Sequence, residues 1–235
     1  QPSELTKIVI ILCLCWFLSE FNRRHLSGRE LATLGVLVGV PVFLIILQRD
    51  LGTAIMYAPI AVGIALVAGV RTKWIIGLLV LGLLATPVVW LGLKDYQRQR
   101  VLVTIDPDRD PQGVGYQTRQ SQIAIGSGGL LGRGIGQGMQ SQLGFVPESH
   151  TDFIFALLAE ETGFLGGSLI LILYAVLLWR LVALAEMAPD AAGILILSGV
   201  ACMVFSHIVV NVGMALGVLP AIGIPLPPLS YGGSS

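Results

Sequence analysis

Glu148, His150 and Asp152 place three titratable groups within five residues, where a polar segment gives way to the apolar run Phe153-Ile154-Phe155-Ala156. A carboxylate at the mouth of an apolar helix has two ordinary uses. It can cap the helix, because Asp is a favoured N-cap residue. It can also act as a general base, because low-dielectric surroundings raise a carboxyl pKa toward working pH. The local pattern leaves both uses open for Asp152. His150 reads either as a partner in proton handling or as a polar group satisfied at the interface.

Ionisable groups occur at three other places inside apolar surroundings, where they are costly and usually paired or functional. Glu4 and Lys7 are three apart at the start of an apolar run, so on a helix they share a face and can pair. That pair is either a structural ion pair at the membrane border or a cavity wall where Lys7 offers a compact cation to a phosphate. Asp50, in Gln48-Arg49-Asp50-Leu51-Gly52-Thr53, reads as an N-cap or a site residue. Glu160 and Glu161 lie about two turns into their helix and diverge by about 100°, so at least one must face protein or a polar cavity.

The elements that position these groups are membrane helices. Of the 235 residues 54% are hydrophobic and 12% charged, against about 25% charged in soluble domains. Six apolar runs, at residues 5–21, 31–47, 51–70, 74–93, 153–179 and 191–219, each have about the length that crosses a bilayer as a helix. The expected fold is therefore all-α, a polytopic integral membrane helical bundle. Fourteen basic and fourteen acidic residues cancel, which gives no electrostatic footprint for nucleic acid. Cys13, Cys15 and Cys202 all lie in apolar runs without metal-ligand spacing and read as small buried hydrophobes.

Short loops set the orientation. Arg23, Arg24 and Arg29 follow the first run and Arg71 and Lys73 follow the third, which the positive-inside rule places in the cytoplasm. Residues 94–151 then form a long extracytoplasmic loop. Within it, Tyr96-Gln97-Arg98-Gln99-Arg100 is basic and aromatic, and residues 127–138 are glycine-rich. The glycines suit close approach to a ligand, but neither the P-loop spacing nor the dinucleotide fingerprint is present. A packed surface loop is the plainer reading. No internal repeat is apparent, which weakens a transporter built from inverted halves. The chain has no initiator Met and stops inside Ser230-Tyr231-Gly232-Gly233-Ser234-Ser235, so both ends read as cut.

An ordered set of motifs carries a resemblance. It comprises Gln1-Pro2-Ser3-Glu4 with Lys7, Asp50-Leu51-Gly52-Thr53, Asp106-Pro107, Gly115-Tyr116-Gln117 and residues 120–129. It continues through Pro147-Glu148 to Glu161-Thr162-Gly163, then Asn211, Pro220, Gly223, Pro225-Leu226-Pro227 and Ser230-Tyr231-Gly232-Gly233-Ser234. In these the chain resembles the SEDS family (shape, elongation, division and sporulation), which includes RodA, FtsW and SpoVE. Residues 96–100 and Gln140-Ser141-Gln142-Leu143 look more like the elongation branch than the division branch. Arg49 stands where the family often has Pro.

The resemblance implies one membrane domain over residues 1–235 with about ten spans in the whole protein, of which about six are present. It implies a peptidoglycan glycosyltransferase that polymerises lipid II into glycan strands on the outer face of the bacterial cytoplasmic membrane. Asp152 matches the family's catalytic aspartate. Glu4 and Lys7 match a pair lining its cavity, and Asp50 matches another sensitive position. Beyond what the resemblance itself implies, the charge of the diphosphate makes Arg98, Arg100 or Arg133 its expected contact, and His150 and Glu148 are expected among the substrate-binding cavity residues. A divalent cation, Mg or Mn, suits the diphosphate, with no protein-held metal expected. The implied partners are lipid II, the growing glycan, membrane lipid and a class B penicillin-binding protein. Two other classes stay open: a flippase for lipid-linked precursor and a non-catalytic scaffold for a synthase.

Overall fold

The computed structural model describes residues 2–20, 28–48, 50–92, 95–106, 110, 113–138 and 151–230. No strand occurs among the described residues. The helices are α1 (Pro2–Ser19), α2 (Gly28–Leu47), α3 (Leu51–Val67), α4 (Thr72–Gly92), α5 (Asp95–Ile105), α6 (Val114–Gly128), α7 (Ile154–Met187) and α8 (Ala191–Ala215). A helix covers most of the described part of each of the six expected spans, but the fifth, expected over 153–179, runs on to Met187. Helices α7 and α8 are long and apolar enough to cross a membrane, and α2, α3 and α4 contain shorter apolar stretches. Pro41, Pro59 and Pro87 lie inside α2, α3 and α4, as membrane helices tolerate.

The segment expected to be a long loop holds two helices, α5 and α6, which pack against each other. Their sequences are polar enough to hide them from a search for apolar runs.

The chain divides into two compact units, Gln1–Leu91 with Leu177–Ser206 and Gly92–Val176 with His207–Gly233. In the first unit, α1, α2 and α3 pack on one another. Helix α1 buries Lys7, Ile10, Ile11, Leu14, Cys15 and Leu18, a stripe at helical spacing. Its opposite side, Leu5, Ile8, Val9, Leu12 and Trp16, is exposed, as a lipid-facing surface requires. The stripe meets Ala54, Tyr57, Ile60 and Ile64 of α3 and Leu195 of α8. Gly199 makes that approach possible: a Cβ there would lie 2.8 Å from Ile11 Cγ2 and 2.9 Å from Ile64 Cδ1.

In the second unit, α6 closes the end of α8. Ser121 Oγ donates to Ala215 O at 2.8 Å and Gln122 Nε2 donates to Leu216 O at 3.0 Å, satisfying carbonyls that a helix end leaves open. Gly217 (φ +74) ends α8, with Gly217 N donating to Met214 O and Val218 N to Gly213 O, the Schellman arrangement. Helix α7 is broken at Gly163, whose φ of 71° and ψ of −168° are not helical.

Candidate functional site

The polar groups of the first unit gather where α1 and α3 begin. Lys7 Nζ lies 2.7 Å from Glu4 Oε2, with the lysine side chain 1% exposed and the glutamate 12% exposed. A buried ammonium on a helix needs a counter-ion, and the i, i+3 spacing supplies it from the same helix. Asp50 caps α3: its carboxylate accepts Thr53 N at 3.0 Å and Thr53 Oγ1 at 2.6 Å. Both carboxylate oxygens are thereby engaged. The Asp50 charge also acts on Lys7, and Tyr57, fully buried, hydrogen-bonds Thr6 and feels both Glu4 and Asp50. So Glu4, Lys7 and Asp50, read separately from the sequence, form one electrostatic cluster. Thr53, which the sequence shows only as part of a motif, and Tyr57, which it does not single out, belong to it, and residues 50, 53 and 57 share one helical face.

The second unit holds Asp152, half-buried, in the turn that leads into α7. Two groups, Asn211 of α8 and Ser230 of the C-terminal segment, fix this turn, and a third bond ties α7 to the C-terminal segment. Asn211 Nδ2 donates to Asp152 O at 2.8 Å and to Ile224 O at 2.8 Å. Ser230 Oγ donates to Thr151 O at 2.7 Å while accepting Leu226 N at 2.7 Å. Tyr174 OH, from α7, donates to Pro227 O at 2.6 Å. The Asp152 side chain lies against Gly223: a Cβ on that glycine would sit 3.0 Å from Asp152 Oδ2, and its φ of +71° is one that other residues rarely adopt. The first turn of α7 closes on Phe153 O, which accepts Ala156 N and Leu157 N.

Asn211 is fully buried, and its Oδ1 has no hydrogen-bond partner among the described residues. A buried amide oxygen left open is expensive. His207, one helical turn earlier on α8, is also buried. An Asn and a His four apart in an otherwise apolar span are a signal for a shared polar face. Asn211 figured in the sequence only as part of a motif, and His207 not at all.

Glu160 is fully buried, while Glu161 Oε1 accepts Gly136 N at 3.1 Å, so at least one of the pair faces protein, as their divergence requires. Arg98 is half-buried and Arg100 exposed, both on α5. Arg133 Nε donates to Ser127 O at 3.1 Å. Glu148, His150 and Arg49 lie outside the described residues. No group of three His, Cys, Asp or Glu among the described residues is placed to hold a metal ion.

The family described as "Cell cycle protein" (FTSW_RODA_SPOVE) matches residues 1–235. Peptidoglycan glycosyltransferase MrdB of Escherichia coli (strain K12) is 43% identical over 239 residues, covering 100% of this chain and 64% of that protein. A solved chain from a peptidoglycan synthase complex that coordinates polymerization and crosslinking matches with a TM-score of 0.77 and 38% identity, over 100% of this chain and 65% of that one. A variant of Thermus thermophilus rod shape determining protein RodA matches with a TM-score of 0.66 and 32% identity, over 100% and 60%. The chain thus spans just under two thirds of the length of the curated relatives it matches.

Proposed function

The chain belongs to the FtsW/RodA/SpoVE family of integral membrane proteins, and from that premise we propose that it is the core of a peptidoglycan glycosyltransferase. In this reading the whole protein polymerises lipid II on the outer face of the cytoplasmic membrane. The acceptor sugar's 4-hydroxyl attacks the donor's anomeric carbon. A carbon–oxygen bond forms there as the bond to the diphosphate breaks. The hydroxyl proton passes to the Asp152 carboxylate, and the polyprenyl diphosphate leaves as an anion. The substrate carries its own activation, which agrees with the lack of any nucleotide fingerprint in the sequence.

One observation carries the assignment. Asp152 is the carboxylate whose main chain is held by Asn211 and whose side chain rests on a glycine. A general base has to be held in place to be effective. Asp50, by contrast, spends both carboxylate oxygens on Thr53, which favours a capping role for it. Glu4 and Lys7 supply a paired charge at the start of α1, suited to a cavity wall. Arg98, Arg100 and Arg133 are the proposed diphosphate contacts, and Glu148 and His150 are proposed as substrate-binding cavity residues. A divalent cation arriving with the diphosphate is proposed from the chemistry of that group, and no step runs through it.

The proposed partner is a class B penicillin-binding protein, supported by the likeness to a chain of a complex that both polymerizes and crosslinks. The test is lipid II polymerisation by the purified full-length protein with and without Asp152. Wild-type rate in the Asp152→Ala protein would dismiss the base assignment.

A further inference from the structure

We propose that residues 129–136 form a re-entrant element seated in bilayer hydrocarbon, with Leu130, Leu131 and Ile135 in contact with lipid acyl chains. The proposal stands whether or not Asp152 is the base. It begins from the break in α7. Gly163 takes a positive φ, which frees main-chain groups on either side of it that a continuous helix would pair. The glycine-rich segment takes them up. Arg133 N donates to Glu160 O at 3.0 Å and Gly134 N to Glu161 O at 3.0 Å; Phe164 N donates to Gly129 O at 2.8 Å and Leu165 N to Leu130 O at 3.2 Å.

These four bonds explain the glycines. A Cβ at Gly163 would lie 2.6 Å from Leu130 O and overlap Gly132 N, one at Gly132 would overlap Glu161 O, and one at Gly128 would overlap Ala159 O. Two main chains meet at a distance only glycine allows. Irregular backbone is tolerated at membrane depth where protein satisfies its polar groups, and this segment meets that condition along the break.

Its side chains point the other way in polarity. Leu130, Leu131 and Ile135 are 71%, 79% and 85% exposed, an expensive display if the segment stood in water. Phe164, Leu165 and Leu169 of α7 are exposed as well, and the Phe164 and Leu165 main chain is hydrogen-bonded to Gly129 and Leu130. The charge-free stretch from Phe164 to Trp179 rises about 24 Å at 1.5 Å per residue, short of the roughly 30 Å hydrocarbon thickness. The three apolar side chains beside the break supply the missing part of the belt. Arg133 carries the segment's charge, on a stem long enough to reach the interface.

Spin labels on the full-length protein in liposomes test this. Leu131→Cys and Ile135→Cys, in a background from which Cys13, Cys15, Cys202 and any cysteine elsewhere in the full-length protein have been removed, should be more accessible to oxygen than to a water-soluble nickel complex. Glu186→Cys, an exposed charged position on α7, should show the reverse order. Greater access to nickel at 131 and 135 would place the segment in water and overturn the proposal. Low access to both reagents would mean that protein covers it, a missing span or a partner chain, and would overturn it equally. Should the cysteine-free background fail to fold, a photoreactive benzoylphenylalanine at position 131 of the otherwise native protein gives the same decision. Adducts with lipid acyl chains support the proposal, and adducts with protein or with none of the lipid contradict it.

Discussion

Asn211 Nδ2 donates to the main-chain carbonyl of Asp152 at 2.8 Å, across 59 residues of sequence. The same nitrogen holds Ile224 O at 2.8 Å, so one amide ties the turn before α7 to the segment that carries Gly223. Asn211→Ala removes both donors and leaves two carbonyls short, at about 1–3 kcal/mol for each buried group left unsatisfied. The polymerisation rate should fall by at least about tenfold, 1.4 kcal/mol being a factor of ten, with KM changing less than kcat. Steady-state kinetics on the full-length protein decide it. A variant with unchanged kcat would show that the tie does not position Asp152.

Gly223 offers a second handle on the same carboxylate. Gly223→Ala puts a methyl 3.0 Å from Asp152 Oδ2 and forces alanine to a φ of +71°, which costs about 1–2 kcal/mol in the backbone alone. Activity should drop more steeply than thermal stability, because the methyl displaces the side chain proposed to react. Equal losses in both would indicate a merely structural glycine.

Glu4 and Lys7 should behave as a unit. Lys7→Met leaves a glutamate without its buried counter-ion, and breaking such a pair costs about 3–5 kcal/mol. The double variant Glu4→Gln with Lys7→Met should recover a large part of that stability. Thermal unfolding of the four proteins completes the cycle, and additive losses would mean that the 2.7 Å contact carries no coupling.

Asp50 is expected to act through its cap. Asp50→Asn keeps an oxygen for Thr53 N, so both melting temperature and activity should stay near those of the native protein. Asp50→Ala should cost about 1 kcal/mol of stability. If Asp50→Asn abolished polymerisation while leaving the melting temperature intact, the carboxylate charge would have a role that capping does not explain.

Much of the fold was legible because its elements are long and apolar. The six spans follow from runs of mostly apolar residues, and Lys7 paired with Glu4 follows from spacing alone. Helices α5 and α6 are hidden because Asp95–Ile105 and Val114–Gly128 are polar, and the stripe that α6 buries, Thr118, Ser121 and Ala124, is not a hydrophobic one. Asp152 could be singled out by type and position, but its tie to Asn211 depends on the return of a distant segment, which no local pattern encodes. The sequence of residues 127–138 reads as a packed surface loop. Their packing against Glu160–Phe164 was not readable, because it rests on Gly163 breaking a helix that the apolar pattern alone would continue.

The proposed chemistry rests on a single carboxylate, so the most direct measurement is lipid II polymerisation by the purified full-length protein carrying Asp152→Asn. This substitution keeps the shape and the main-chain carbonyl that Asn211 holds and removes the basic oxygen. Glycan formation should fall by at least about a hundredfold, the low end of what general base catalysis contributes, while the melting temperature stays unchanged. Polymerisation at the native rate would contradict the assignment of Asp152 as the base.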